Sequence, residues 1–193
     1  MNDQITTFFP QAFFTSVNLL DKDYLQRLQK LSLDIRDKYE CGGKNWLSRP
    51  YNTLDTYELK DDKNFKLLFD KIEEKVSLFT QAHKSNYSYR VKESWLNIYN
   101  KNDEQEFHCH ADCTFSAVFF LKTSEDCAKI VFENPIEPDM KPILNIEEFC
   151  PLNFKKCFFE PRENSLLIFR SYMRHMVEKQ KTDYERISVA VNL

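Results

Sequence analysis

Residues 107–122 read Phe107-His108-Cys109-His110-Ala111-Asp112-Cys113-Thr114-Phe115-Ser116-Ala117-Val118-Phe119-Phe120-Leu121-Lys122. Two properties meet in this stretch. Residues 115–122 are rich in aromatic and β-branched side chains, the composition of a strand. Just before them lies the densest cluster of metal-capable side chains in the chain. In an extended strand, residues two apart point to the same face. His108, His110 and Asp112 are therefore expected to aim two imidazoles and a carboxylate at one point.

Further strands are expected on both sides. Trp95, Ile98 and Tyr99 with alternating partners predict one over residues 91–100. Others are expected over 128–133, 156–160, 164–169, 174–178 and 186–192, with a proline-containing excursion at 135–153. The N-terminal part differs. Residues 8–18 read as an opening strand. Asp21 is placed to cap a helix running to about Tyr39, with Leu25, Leu28, Leu31 and Ile35 on one stripe. Cys41-Gly42-Gly43 is expected to stop it. Residues 51–59 read as extended. A second helix is predicted over 62–82, with Phe65, Leu68, Phe69, Ile72, Val76 and Phe79 on its apolar face. These stripes read as core, without functional signal. The fold class is mostly β with flanking α: two N-terminal helices bracing a jelly-roll or cupin-like barrel of roughly eight strands, which periodicity alone does not separate from an ordinary sandwich. One domain is expected over 1–193. Residues 1–90 supply the N-terminal strand and supporting helices, and 91–193 the β-barrel core.

Composition narrows the function. A chain of 193 residues can bury a full core without disulfides or metal as staples. Only 2 glycines are present, which rules out a glycine-rich phosphate loop and a dinucleotide fingerprint. Lys+Arg 27 against Asp+Glu 30 gives a net charge of −3, not the basic footprint of a duplex nucleic-acid binder. No apolar run approaches a membrane span. The N-terminus lacks a basic segment followed by an apolar one, so no signal peptide is expected. Six cysteines without a Cys-x2-Cys knuckle point away from structural zinc and toward a reduced cytoplasmic protein with cysteines as buried small hydrophobes.

Of the 4 histidines, His175 on a later predicted strand joins the pair at 108 and 110 as a ligand candidate; His83 is left over at a helix end. Two histidines and a carboxylate on one face, with coordination positions open, suit non-heme Fe(II). A lone His-x-His is also ordinary strand decoration, and His175 between two methionines could be a core residue. A third piece lies on the last strand. Arg186 and Ser188 face one side of an otherwise apolar segment. A guanidinium there can pair with a carboxylate, and a hydroxyl can add a further bond.

These pieces together resemble the Fe(II)- and 2-oxoglutarate-dependent oxygenases, more narrowly the prolyl-hydroxylase-like oxygenase family of marine bacteria and their phages. The resemblance rests on Ser94-Trp95-Leu96-Asn97-Ile98-Tyr99, His108-Cys109-His110, Ser116-Ala117-Val118-Phe119-Phe120-Leu121, Leu167-Ile168-Phe169-Arg170-Ser171, His175-Met176-Val177 and Arg186-Ile187-Ser188-Val189-Ala190-Val191-Asn192. It covers residues 94–193 well and the first 90 loosely. Ala117, Arg170 and Asn164 replace a glycine, a proline and a turn glycine of the family pattern. Asn is the next best residue for a left-handed turn.

The resemblance implies a double-stranded β-helix with Fe(II) at its mouth and 2-oxoglutarate as co-substrate. It places the distal carboxylate of 2-oxoglutarate on Arg186, with Ser188 assisting and Asn97 in the pocket. It implies release of succinate and carbon dioxide and hydroxylation of a peptidyl side chain or a small metabolite, in the cytoplasm of a bacterial or phage-infected cell. Two ligand registers stand open: His108 with His110, or His110 with Asp112, each completed by His175. The rival readings are a cupin-like metal protein, a three-histidine dioxygenase or zinc module, that does not use 2-oxoglutarate, and a non-catalytic β-sandwich in which His108, His110 and His175 do not converge. The 135–153 connection is the expected specificity element.

Overall fold

A computed structural model describes residues 4, 6, 10–135, 147–148 and 150–193. Strand β1 is Phe14–Val17 and helix α1 is Lys22–Lys38. Strand β2 is only Tyr51–Asn52, and a short 3-10 turn at Leu59–Asp61 precedes helix α2, Lys66–Ala82. Eight strands follow: β3 Glu93–Tyr99, β4 Gln105–His108, β5 Phe115–Lys122, β6 Ile130–Glu133, β7 Lys156–Phe159, β8 Ser165–Arg170, β9 His175–Val177 and β10 Arg186–Asn192. Residues 8–9 of the expected opening strand, and 136–146 and 149 of the expected excursion, lie outside the described residues.

All pairings are antiparallel. The larger sheet has the order β1-β8-β5-β10-β3-β2 and the smaller β4-β9-β6-β7. From β3 to β10 the chain passes repeatedly between the two sheets, the winding of a double-stranded β-helix. The strands form two facing sheets and not the closed barrel expected from their number.

Local chemistry explains the elements. The Asp21 carboxylate accepts a bond from Tyr24 N at 2.9 Å and caps α1. The helix ends at Tyr39 in an extended conformation, before either glycine. The glycines serve a different need. A side chain at Gly42 would run into the Leu54 carbonyl, and Gly43 has φ +61°. Their amides bond Asn52 O and Leu54 O, drawing the 41–43 segment onto β2. Asn164 takes the left-handed turn expected of it, φ 59°, and its side-chain amide bridges to both backbone groups of Leu20.

Strand alternation sorts the large sheet into two faces. Leu96 and Ile98 of β3, Phe119 of β5, Ile168 of β8, and Ile187 and Val189 of β10 share one apolar cluster with Leu25, Leu28, Leu68, Ile72 and Val76 of the two helices. The opposite face looks across to the small sheet. Tyr99, Phe120, Leu167 and Phe169 there meet Ile130, Phe132 and Val177. Between the sheets, beside this second cluster, the packing opens into a cavity.

All six cysteines are free. Only Cys127 is buried, while Cys41 and Cys109 are exposed, so burial does not explain most of them. No helix among the described residues is long and apolar enough to cross a membrane.

Candidate metal and co-substrate site

β4 and β9 are adjacent strands, and their register sets His108 directly opposite His175. Phe132 of β6 lies opposite His175 on its other side. β4 stops at His108, so the alternation invoked for His110 and Asp112 ends there. His110 is held instead by its amide, which donates to Ser171 O at 2.9 Å at the end of β8. The chain then turns at Ala111-Asp112 and carries the Asp112 carboxylate out to solvent. The structure therefore brings His108, His110 and His175 together, with ligand atoms all within 4.8 Å of one another, and leaves Asp112 outside the group.

Two of the three rings are oriented alike. Nδ1 of His108 bonds the Glu106 carbonyl at 2.8 Å, and Nδ1 of His175 bonds the Met173 carbonyl at 2.9 Å. A carbonyl only accepts, so each Nδ1 carries the proton and each Nε2 keeps its lone pair. His110 has a different neighbour. Its Nδ1 lies 3.5 Å from the side-chain amide of Asn192. Asn192 also bonds Glu93 and receives the Ser116 hydroxyl.

Burial holds all three imidazoles neutral. It pushes His175 well below its ordinary value, with His108 and His110 adding to the effect. It brings His110 down to about 4, with His108 adding. His108 is also lowered by burial, against bonding at Glu106 that favours its charged form. Neutral imidazole is the form that ligates a metal.

The same cavity is lined by Arg186, Ser188, Asn97 and Tyr99. Its volume is about 60 Å³. Arg186 is 1% exposed, yet its Nε and Nη1 have no hydrogen-bond partner. Its guanidinium lies over the Tyr99 ring at 4.8 Å and near the Phe120 ring at 5.2 Å. Burial lowers its pKa, opposed by Tyr99 and Cys127. Among the described residues no carboxylate pairs with it. A buried cation with two idle donors is costly alone and stabilised by an incoming anion. The donor set thus fits both groups the sequence pointed to: three neutral nitrogens for a divalent ion and an unpaired guanidinium for a carboxylate.

The sequence matches the family described as "Putative 2OG-Fe(II) oxygenase" over residues 93–192. The chain belongs to this 2-oxoglutarate–Fe(II) oxygenase family. The match begins with the first residue of β3 and ends with the last of β10, so it spans the eight two-sheet strands. The family uses Fe(II) and 2-oxoglutarate. Among solved structures the fold is similar to a Pseudomonas putida prolyl-4-hydroxylase, with 12% identity over 94% of this chain and 92% of that one, TM-score 0.64. It is also similar to a Trichoplax adhaerens prolyl hydroxylase solved with a hypoxia-inducible-factor peptide, 14% identical over 93% and 83% of the two chains, TM-score 0.60. The 2-oxoglutarate-dependent epimerase SnoN of nogalamycin biosynthesis shares the fold at 9% identity over 94% and 77%, TM-score 0.66. A search of curated proteins finds no match.

Sequence reading left several of this oxygenase's cavity residues unnamed. Trp46, Asn52 and Gln105 line the cavity beside the residues it had singled out. Trp46 packs its ring 4.9 Å from His108, and Trp95 lies 5.8 Å from His110. Both tryptophans of the chain therefore border the imidazole cluster. Trp46 lies far from the His-x-His in sequence and shares no element with it, so no spacing pattern signals it.

Proposed function

We propose that this chain is a hydroxylase that binds Fe(II) through His108, His110 and His175 and binds the distal carboxylate of 2-oxoglutarate through Arg186. The observation that carries this is the buried Arg186 with its unpartnered Nε and Nη1 in the cavity lined by the three imidazoles. Ser188 adds a hydroxyl from the same face of β10, and Tyr99 and Phe120 flank the guanidinium. The Glu106 and Met173 carbonyls fix the rings of His108 and His175, so little ordering remains when the ion arrives. Three uncharged ligands leave the full dipositive charge of the ion, which the dianionic co-substrate offsets.

With both groups bound, the centre supplies oxidation by dioxygen: one oxygen atom goes to 2-oxoglutarate, giving succinate and carbon dioxide, and the other converts a substrate C–H to C–OH. The protein's residues orient the co-substrate, keep the imidazoles neutral and limit water in the cavity. The substrate is a peptidyl side chain or a small metabolite. The prolyl hydroxylases of similar fold support the first and the epimerase SnoN the second.

The test has two stages. Anaerobic addition of Fe(II) and 2-oxoglutarate is expected to give a weak visible charge-transfer band. The band should persist in Asp112→Ala and vanish in His108→Ala. Succinate release is then screened against peptide and metabolite libraries. A protein that holds iron but shows no band, and whose 2-oxoglutarate affinity is unchanged by Arg186→Ala, would match the cupin-like reading instead.

A further inference from the structure

Residues 44–49 form a surface strap whose attachments are unusual. Its root is fixed by Gly42 and Gly43, whose amides bond Asn52 O and Leu54 O. The root is tight: a side chain at Gly43 would come within 2.6 Å of the Trp46 ring. The strap tip is held differently. The Glu106 carboxylate accepts from Leu47 N at 2.8 Å and from Ser48 N at 3.1 Å. The Ser48 hydroxyl receives Glu106 N in return at 3.2 Å. Among the described residues, every hydrogen bond from the tip to another part of the chain goes to Glu106. Leu47, next to Trp46, is 89% exposed, so the tip is anchored by this carboxylate and not by burial. Trp46 sits on its inner side, lining the cavity with its ring edge-on to His108 at 4.9 Å.

One residue thus joins the strap to the metal ligands. The Glu106 side chain holds the strap tip, and the Glu106 carbonyl orients His108. Two charge-assisted bonds to one carboxylate make a firm but releasable anchor, since the groups they free can be rewetted at the surface.

We propose that Trp46 is a wall of the metal site that any substrate must pass or displace, and that Glu106 is the positioning residue that holds it there. Opening the strap exposes His108 and the cavity mouth; closing it lays the indole over the ligand and excludes water. The 44–49 strap then selects substrate from the side of β4. This inference rests on the three-imidazole metal reading above.

The test is the release of cobalt(II) from the full-length protein into excess EDTA, followed by the loss of cobalt absorbance. Trp46→Ala and Glu106→Gln are expected to release cobalt about tenfold faster than wild type, the low end of what changes around metal ligands produce. Glu106→Gln keeps the carbonyl that bonds His108 but turns an amide toward the strap. Trp46→Phe, which keeps a ring on His108, should stay within about twofold of wild type and guards against a folding defect in the alanine variant. If wild type binds no cobalt, both the metal reading and this proposal fall. If wild type binds cobalt and the variants release it at the wild-type rate, the strap proposal alone falls. Fast release from Trp46→Ala with wild-type release from Glu106→Gln would overturn the role given to Glu106.

Discussion

The two faces of the large sheet share the same strands and do opposite work. On the helix side, Leu96, Ile98, Ile187 and Val189 are fully buried in an apolar cluster. On the cavity side, the residues that alternate with them on the same strands are Asn97, Arg186 and Ser188. Apolar burial at roughly 25 cal/mol per Å² stabilises the first face. The second face keeps a cation with idle donors and looks across to neutral imidazoles carried by β4, β9 and the turn after β4, an arrangement that lowers the stability of the ligand-free protein. The apolar core and the polar cavity lining are therefore separated by one residue step along a strand, and substitutions on the two faces should differ in sign as well as size.

The largest expected effect is on the cavity side. His175→Ala should abolish iron binding, measured as metal stoichiometry after anaerobic loading, while the apoprotein stays folded. The opposite result, an unfolded apoprotein, would make His175 a core residue and blur the two faces.

On the helix side, Leu96→Ala should cost about 2–5 kcal/mol in urea unfolding. Its folded fraction should bind 2-oxoglutarate as wild type does. Arg186→Met sharpens the contrast. Two charge-assisted bonds at about 1.5–3 kcal/mol each are lost, so 2-oxoglutarate affinity should fall on the order of 100-fold or more. The apoprotein should nonetheless be neutral or stabilised by about 1–4 kcal/mol, because an uncompensated buried charge is replaced by an apolar chain of similar length. Loss of apoprotein stability would mean the guanidinium is already satisfied.

A smaller effect is on pH dependence. Unfolded imidazoles titrate near pH 6.5, and the buried ones lower, about 4 for His110. Between those values the unfolded chain binds more protons, so stability rises with pH there. It is fully present above about pH 6.5 and is lost as pH falls toward 4. Urea midpoints of the metal-free protein should show this slope, and His110→Asn should flatten it. The smallest effect is expected for Ser188→Ala. Loss of one neutral bond of about 1 kcal/mol should weaken 2-oxoglutarate roughly fivefold by titration and leave stability within error.

Much of this was legible from residue patterns. The helix stripes, the Asp21 cap, the Asn164 turn and the shared side of Arg186 and Ser188 follow from periodicity and local backbone preference, which act over a few residues. The glycines misled. Gly42 and Gly43 look like a helix stop, yet α1 has already ended, and what needs them is the close backbone approach to Leu54 and Asn52. The cysteines misled too, since composition does not say which side of a strand or turn each one takes.

The ligand cluster shows where sequence stops. By itself the sequence determined most of the strands and that Arg186 and Ser188 share a face, because side-chain alternation is a property of a single extended chain. Only the tertiary structure decided that His175 stands opposite His108, that β4 ends before His110, that Asp112 turns out to solvent, and that Trp46 comes to lie against the His108 ring. Strand register, strand ends and loop docking depend on hydrogen bonds between segments distant in the chain, and no local pattern carries that information.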